Sequence, residues 1–486
     1  MPPPFAFRRR RLIFRAGFLS ESVMLQRLLA VILIAASSVG MASADEVVPQ
    51  SRSQIELTFA PLVKQAAPAV VNVYTKTVVK RQAMPFFDDP FFQQFFGGQL
   101  GGQPQDRIQN SLGSGVVVRP DGLIVTNNHV IADAQEIRVV LSDGREFPAK
   151  VISADEKFDL ALLQIDTKGQ KLPTLALKDS DEVDVGDLVL AIGDPFGVGQ
   201  TVTMGIISAT ARTNVGIGDY GYYLQTEAAI NPGNSGGALL STDGKLVGIN
   251  TAIYSKSGGS IGIGFAIPSN MVASFIAAES SGGKLVQPWI GASGEPLTAD
   301  IAASMGFAHP GGIVVRQIYP GGPAEQAGLQ PGDVITGING RDIGDAGGLR
   351  FRLATLKVAT RAKLNIVRKG QTLELPVDLI AAPATPAPEE TLLKGEQPLS
   401  GAVIANLSPA LSDALGVGEW QGVVVEKVRR GSYADRFDIE PGDILIKINE
   451  TAVASVADVQ DVVGKPADTW NVTVNRGGQT KTIQVH

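Results

Sequence analysis

The sequence predicts a mostly β protein of several domains. Three observations carry that expectation. Short apolar segments alternate with turn residues from Gly113 to Ile267, the pattern of a β-barrel or sandwich. Gly (55) and Pro (29) are frequent enough to supply those turns. An internal repeat fills the C-terminal part, so this chain of 486 residues divides into roughly three domains of ~150 residues.

The N-terminus reads as an export signal. Arg27 precedes the apolar run Leu28 to Ala36, and Ala42-Ser43-Ala44 forms an A-x-A cleavage site. The run is shorter than the ~20 residues of a membrane span, so residues 1–44 are expected to be removed, leaving no stable span. Met24 is an alternative start, because residues 24–44 form a complete signal. Residues 1–44 contain six Arg and one Glu, so 36 basic and 47 acidic side chains remain, a net charge of −11. An acidic chain without a basic run does not suit nucleic acid or an anionic membrane. Cys is absent, which excludes disulfides, Cys-ligated zinc and a thiol nucleophile. The three His form no metal-binding pattern, so neither a metal nor a cofactor is expected.

The segments then follow in order. Residues 51–65 are expected to start with a short helix and Ala67 to Lys80 to be β. An insert with six Phe between Pro85 and Phe96, followed by Gly and Gln, is expected to be a loop over about 81–110 that docks on something. Val116 to Val118 and Leu123 to Thr126 flank Pro120-Asp121-Gly122 as a hairpin. Further strands are expected at 136–141, 146–152, 160–165, 188–192, 201–208, 246–252 and 261–267. A helix from Ser269 ends at Gly282-Gly283, closing a domain over 52–284. Beyond it, Gly312-Ile313-Val314-Val315 returns as Gly422-Val423-Val424-Val425, and Pro331-Gly332-Asp333 as Pro441-Gly442-Asp443. Gly312 and Gly422, like Gly332 and Gly442, stand 110 residues apart. That is a duplicated domain rather than a solenoid unit. The copies are expected at 286–380 and 398–486, joined by an Ala/Pro spacer over 381–397 that is semi-rigid and extended.

The chemistry centres on Ile230-Asn231-Pro232-Gly233-Asn234-Ser235-Gly236-Gly237. Glycines let consecutive N–H groups turn toward one point, so Ser235 is a candidate nucleophile beside a ready oxyanion hole. A serine hydroxyl needs a base, usually His oriented by a carboxylate. His486 ends the chain and His309 lies in the first repeat copy, leaving His129 at the end of a predicted strand. Asp159 opens the apolar run Leu160 to Leu163, where an unpaired carboxylate is costly. The order His129, Asp159, Ser235 is the chymotrypsin-type order and excludes the Ser-first order of α/β-hydrolases, so a serine esterase or lipase fits poorly.

Thr126-Asn127-Asn128-His129-Val130, Asp159-Leu160-Ala161-Leu162 and Gly233-Asn234-Ser235-Gly236-Gly237-Ala238-Leu239 closely resemble the HtrA/Deg (protease Do) family of serine proteases, and the repeats resemble its two PDZ domains. The resemblance implies a chymotrypsin-like double β-barrel followed by two PDZ domains (α+β). It implies a periplasmic, ATP-independent endopeptidase that degrades misfolded exported proteins, built on trimers or multiples of trimers. His129, Asp159 and Ser235 would form the triad, and the N–H groups of Gly233 and Ser235, with Asn234, the oxyanion hole. The residue six before the serine, Ala229, floors the specificity pocket in chymotrypsin-type sites, and no acid there means no preference for Lys or Arg. By resemblance Ile230 and Ile253 narrow that pocket toward small aliphatic residues. Trp289-Ile290-Gly291-Ala292 matches the family's carboxylate loop for C-terminal peptides, and Leu399-Ser400-Gly401-Ala402 matches it less well. The groove helices fall at about 348–356 and 456–464. The Phe-rich insert sits where the family carries its regulatory loop. Some members are also chaperones, so the alternative is mainly a chaperone or peptide-binding protein with latent proteolysis.

Overall fold

The computed structural model describes residues 58–79, 107–132, 134–194, 199–213, 215, 221–253, 260–279, 286–467 and 469–485. The expectations for the signal segment, the Phe-rich insert and His486 lie outside them.

After a helix Ala60–Ala66, six strands close a first barrel: β1 (Val70–Val79), β2 (Arg107–Arg119), β3 (Leu123–Thr126), β4 (Glu136–Val140), β5 (Glu146–Asp155) and β6 (Leu160–Ile165), in the order β1-β2-β3-β6-β5-β4. The expected hairpin is β2–β3, turned at Gly122 with φ 94°. β2 starts at Arg107, inside the span expected to be loop. A second closed barrel follows: β7 (Leu188–Gly193), β8 (Thr201–Arg212), β9 (Tyr223–Thr226), β10 (Ala238–Ser241), β11 (Leu246–Ile253) and β12 (Gly264–Pro268), ordered β10-β11-β12-β9-β8-β7. Closure pairs every edge, so neither sheet exposes an open ladder. β9 and β10 are too short to stand out as apolar runs among the glycines and polar residues beside them.

Both barrels fill with their own aliphatic side chains. Val189, Ile207, Leu224, Ile230, Leu239, Val247 and Ile253 form one buried cluster in the second. β10, β11 and β12 are buried at every position, so their residues show no alternation between an inner and an outer face. Each such Val, Leu or Ile contributes roughly 1.5–3 kcal/mol by leaving water.

The repeat builds two seven-stranded sheets that share their central order and differ in the edge that the first short strand joins. In the first copy β13 (Pro288–Trp289), β14 (Ala292–Pro296), β15 (Ile313–Ile318), β16 (Val334–Ile338), β17 (Arg341–Asp342), β18 (Thr360–Arg368) and β19 (Gln371–Ala381) run in the order β13-β19-β18-β16-β15-β14, with β17 on β16. In the second, β20 (Thr391–Leu392), β21 (Ala402–Asn406), β22 (Val423–Val428), β23 (Ile444–Ile448), β24 (Thr451–Ala452), β25 (Trp470–Arg476) and β26 (Gln479–Val485) run in the order β20-β21-β22-β23-β25-β26, with β24 on β23, so β20 joins the edge opposite to the one that β13 joins. The groove helices are Ala346–Ala354 and Val456–Val463, the latter started by a Ser455/Asp458 capping box. The expected spacer is shorter than 381–397. Ala381 ends β19, Thr391 pairs with Ile404, and Leu393 is buried in the second core. Pairing and burial draw that end of the Ala/Pro stretch into the domain.

The Pro-Gly-Asp repeat has a structural cause. Asp333 and Asp443 are almost wholly buried, and each receives a guanidinium through two bonds. Arg368 Nε and Nη2 stand 2.7 Å from the Asp333 oxygens. Arg476 Nε and Nη2 stand 2.7 and 2.8 Å from those of Asp443. Each carboxylate also accepts a backbone N–H, from Gln330 or Glu440. Arg476→Met leaves the Asp443 charge buried and uncompensated. It is expected to cost about 3–5 kcal/mol and to lower the unfolding transition of the second copy in calorimetry. Arg476→Lys should fall between, since an ammonium cannot match the two-pronged geometry.

Candidate active site

Hydrogen bonds bring His129, Asp159 and, through Thr251, Ser235 together where the two barrels meet. His129 does not close a strand; it lies on the one-turn helix Asn128–Ile131 that follows β3. Asp159 precedes β6 with φ 51°, a left-handed conformation that Asp tolerates better than most residues. The preceding turn is fixed by Asp155 Oδ1, which accepts the N–H groups of Lys157 and Phe158. Asn127 Nδ2 donates to the Asp159 carbonyl at 2.9 Å.

That turn sends the carboxylate to His129. Nδ1 lies 2.7 Å from Asp159 Oδ2 and 2.9 Å from Oδ1, and the His129 backbone N–H donates to Oδ1 at 2.9 Å. A carboxylate can only accept, so Nδ1 carries the proton and the Nε2 lone pair is left for proton transfer. Thr251 Oγ1 donates to Asp159 Oδ2 at 2.6 Å. Tyr223 is buried nearby. Burial and the negative charge of Asp159 push its phenol pKa far upward, so it stays neutral.

Ser235 comes from the second barrel, on the turn before β10. Its Oγ donates to the Thr251 carbonyl at 3.0 Å. Thr251 therefore touches both Asp159, through its hydroxyl, and Ser235, through its carbonyl. The sequence reading passed over it. The available signal was the polar pair Asn250-Thr251 inside β11, a strand buried throughout.

The turn depends on its glycines. A Cβ on Gly236, at φ 83°, would lie 2.0 Å from the Ser114 carbonyl oxygen and 2.4 Å from Thr126 Oγ1. Gly233 sits at φ 95°, a region open to glycine. Asn234 corrects one expectation. Its N–H donates to the Asn231 carbonyl at 3.0 Å, so it is committed to the turn and unavailable to an oxyanion. The remaining expected donors are the N–H groups of Gly233 and Ser235.

Of the expected pocket residues, Ala229 is partly exposed, and its carbonyl accepts Thr203 Oγ1. Ile230 and Ile253 are buried together in the second barrel's core. In the first repeat copy, Ile290 O accepts the Ala324 N–H at 2.8 Å and Gly291 O accepts that of Tyr319 at 2.9 Å. These bonds fix the course of Trp289-Ile290-Gly291-Ala292, with Gly291 at φ 74°. Trp289 packs edge-on against Tyr319 and against Trp420 of the second copy, with ring centroids 5.2 and 6.1 Å apart. The groove helix Ala346–Ala354 also contacts the protease barrels. Phe351 stacks on Tyr222 at 3.8 Å, and Arg352 pairs with Asp181.

Comparison with known proteins agrees with this architecture. Residues 113–249 match the model of a trypsin-like peptidase domain, and residues 269–379 and 401–486 match that of a PDZ domain. The chain is 39% identical over 413 residues to the periplasmic pH-dependent serine endoprotease DegQ of Escherichia coli K12, covering 84% of this chain and 87% of that protein. It is 36% identical over 461 residues to the periplasmic serine endoprotease DegP of the same organism, covering 90% and 94%. A solved structure of the HtrA-type protease AlgW with a tripeptide is 41% identical, with a TM-score of 0.50, covering 67% of this chain and 98% of that one.

The hydrogen-bonded His129–Asp159 pair predicts a reactive Ser235. A fluorophosphonate probe should label that serine in a tryptic peptide map. His129→Ala should slow labelling at least ~100-fold by removing the base.

Proposed function

This chain belongs to the HtrA/Deg family of serine endoproteases, and from that membership we propose that it degrades unfolded or misfolded exported polypeptides without ATP. The reading places it in the periplasm after loss of residues 1–44. Among the described residues no helix is long and apolar enough to cross a membrane. The observation that carries the catalytic reading is the short Nδ1–carboxylate contact of His129 with Asp159 in the cleft that holds Ser235.

Ser235 Oγ attacks the scissile carbonyl while His129 Nε2 takes its proton. The C–O bond forms, and the carbonyl electron pair moves onto oxygen. Gly233 and Ser235 N–H groups receive that oxyanion, each worth roughly 3 kcal/mol in related chemistry. As the C–N bond breaks, His129 returns the proton to the leaving amine. Water, deprotonated by the same nitrogen, then adds to the acyl carbon; the bond to Ser235 Oγ breaks and His129 returns the proton to that oxygen. Asp159 keeps the His129 tautomer and stabilises its cation, and Thr251 steadies the carboxylate.

Substrate preference follows from the lining. Ala229 brings no charge, and Ile230 and Ile253 are branched and apolar. The pocket is read as small and aliphatic, with tolerance, because one methylene distinguishes substrates by only ~1–3 kcal/mol. The PDZ copies are proposed to take extended C-terminal peptides along a sheet edge, with the carboxylate at residues 289–292 of the first. A trimer, or a multiple of trimers, is the proposed assembly. A second reading, in which the chain mainly holds unfolded proteins, rests on the two PDZ copies.

Digestion of reduced casein by the mature chain, with cut sites mapped by mass spectrometry, checks this. Cuts after Val, Ala or Ile that disappear in Ser235→Ala are expected. Suppressed aggregation that survives Ser235→Ala, without cutting by the parent chain, would put the holding function first.

A further inference from the structure

Ser114 lies on β2 of the first barrel and is fully buried, yet its polar groups serve the second barrel. Its N–H donates to the Ser235 carbonyl at 2.8 Å. Its hydroxyl donates to the Gly233 carbonyl at 2.6 Å. The same oxygen accepts the Asp194 N–H at 2.8 Å. Its own carbonyl accepts Thr126 Oγ1 at 2.7 Å. Asn72, its direct partner across β1–β2, is also buried and donates Nδ2 to the Asp194 carbonyl at 2.7 Å. One cross-strand pair thus holds both the N–H and the C=O of Asp194.

The position of these bonds matters. The N–H groups of Gly233 and Ser235 belong to two peptides that flank the Gly233–Asn234 peptide. Gly233, in a conformation open to glycine, offers little steric resistance to rotation of that central peptide. The Ser114 hydroxyl pins its carbonyl, and the Ser114 N–H pins the next carbonyl but one. We propose that Ser114 is a positioning residue for the oxyanion hole, its hydroxyl fixing the peptide between the two donors so that both N–H groups converge before substrate arrives. It touches no reacting atom. The inference rests on the proteolytic reading above and adds a residue of the first barrel to a hole built on the second.

A donor pair held in place assists only where negative charge develops, so loosening it lowers kcat and leaves ground-state binding intact. Kinetics of the full chain on a fluorogenic peptide with Val at the cleaved bond test this. A peptide aldehyde, whose adduct puts an oxyanion in the hole, serves as a transition-state mimic. Ser114→Ala is expected to lower kcat by about tenfold or more, to change KM less than about twofold, and to weaken the aldehyde by the same factor as kcat. Ser114→Thr, with a hydroxyl on the same carbon, should recover most of the loss. Should Ser114→Ala fail to fold, Ser114→Cys, with a weaker donor, carries the same comparison. An unchanged kcat, or a fall in kcat without weaker aldehyde binding, overturns the assignment while leaving the protease reading intact. A parent chain that does not cleave the peptide removes both.

Discussion

The cleft depends on a backbone-to-backbone approach between barrels that have separate cores. The Ser114 N–H reaches the Ser235 carbonyl at 2.8 Å, and Gly236 passes so close to Ser114 that a single methyl group would collide with its carbonyl. Catalytic geometry tolerates errors of only about an ångström. Hydrogen-bonded main chains hold their separation within that margin, because the bond weakens steeply with distance and angle. The Gly-Asn-Ser-Gly-Gly run is thus a fitting surface as well as a setting for Ser235.

The same economy governs the acid. Asp159 is nearly buried, and a buried carboxylate is unfavourable unless its oxygens are filled. Here they are met by the His129 ring, the His129 N–H and the Thr251 hydroxyl. Stability and catalysis ask for the same bonds, because each donor that lets the charge be buried also fixes the direction in which it faces the imidazole. The left-handed turn at Asp159 is the local strain that this network offsets.

The sequence made much of this legible, for identifiable reasons. Strands buried on both faces, such as Leu160–Ile165, appear as apolar runs whatever their partners. The spacing of 110 residues maps β15 onto β22 and β16 onto β23, since a duplicated core needs the same side chains at the same places. Elimination among three His sufficed to select His129. What escaped were positions whose importance comes from partners distant in sequence. Thr251 is ordinary until its hydroxyl meets Asp159, 92 residues away. Ser114 is one more serine between glycines until its hydroxyl meets Gly233, 119 residues away. Asn234 looked like a donor because its N–H sits between two others, and only the turn geometry reveals that Asn231 uses it.

The first PDZ copy adds a different kind of constraint. Its groove helix Ala346–Ala354 lies on the edge where a peptide would enter, yet Phe351 and Arg352 of that helix rest on Tyr222 and Asp181 of the protease barrels. Tyr222 is followed by Tyr223, the first residue of β9. Tyr222 meets the PDZ helix, while Tyr223 is buried, and burial together with the charge of Asp159 raises its phenol pKa. The pair Tyr222-Tyr223, where the chain enters β9, thus stands between the groove helix and Asp159.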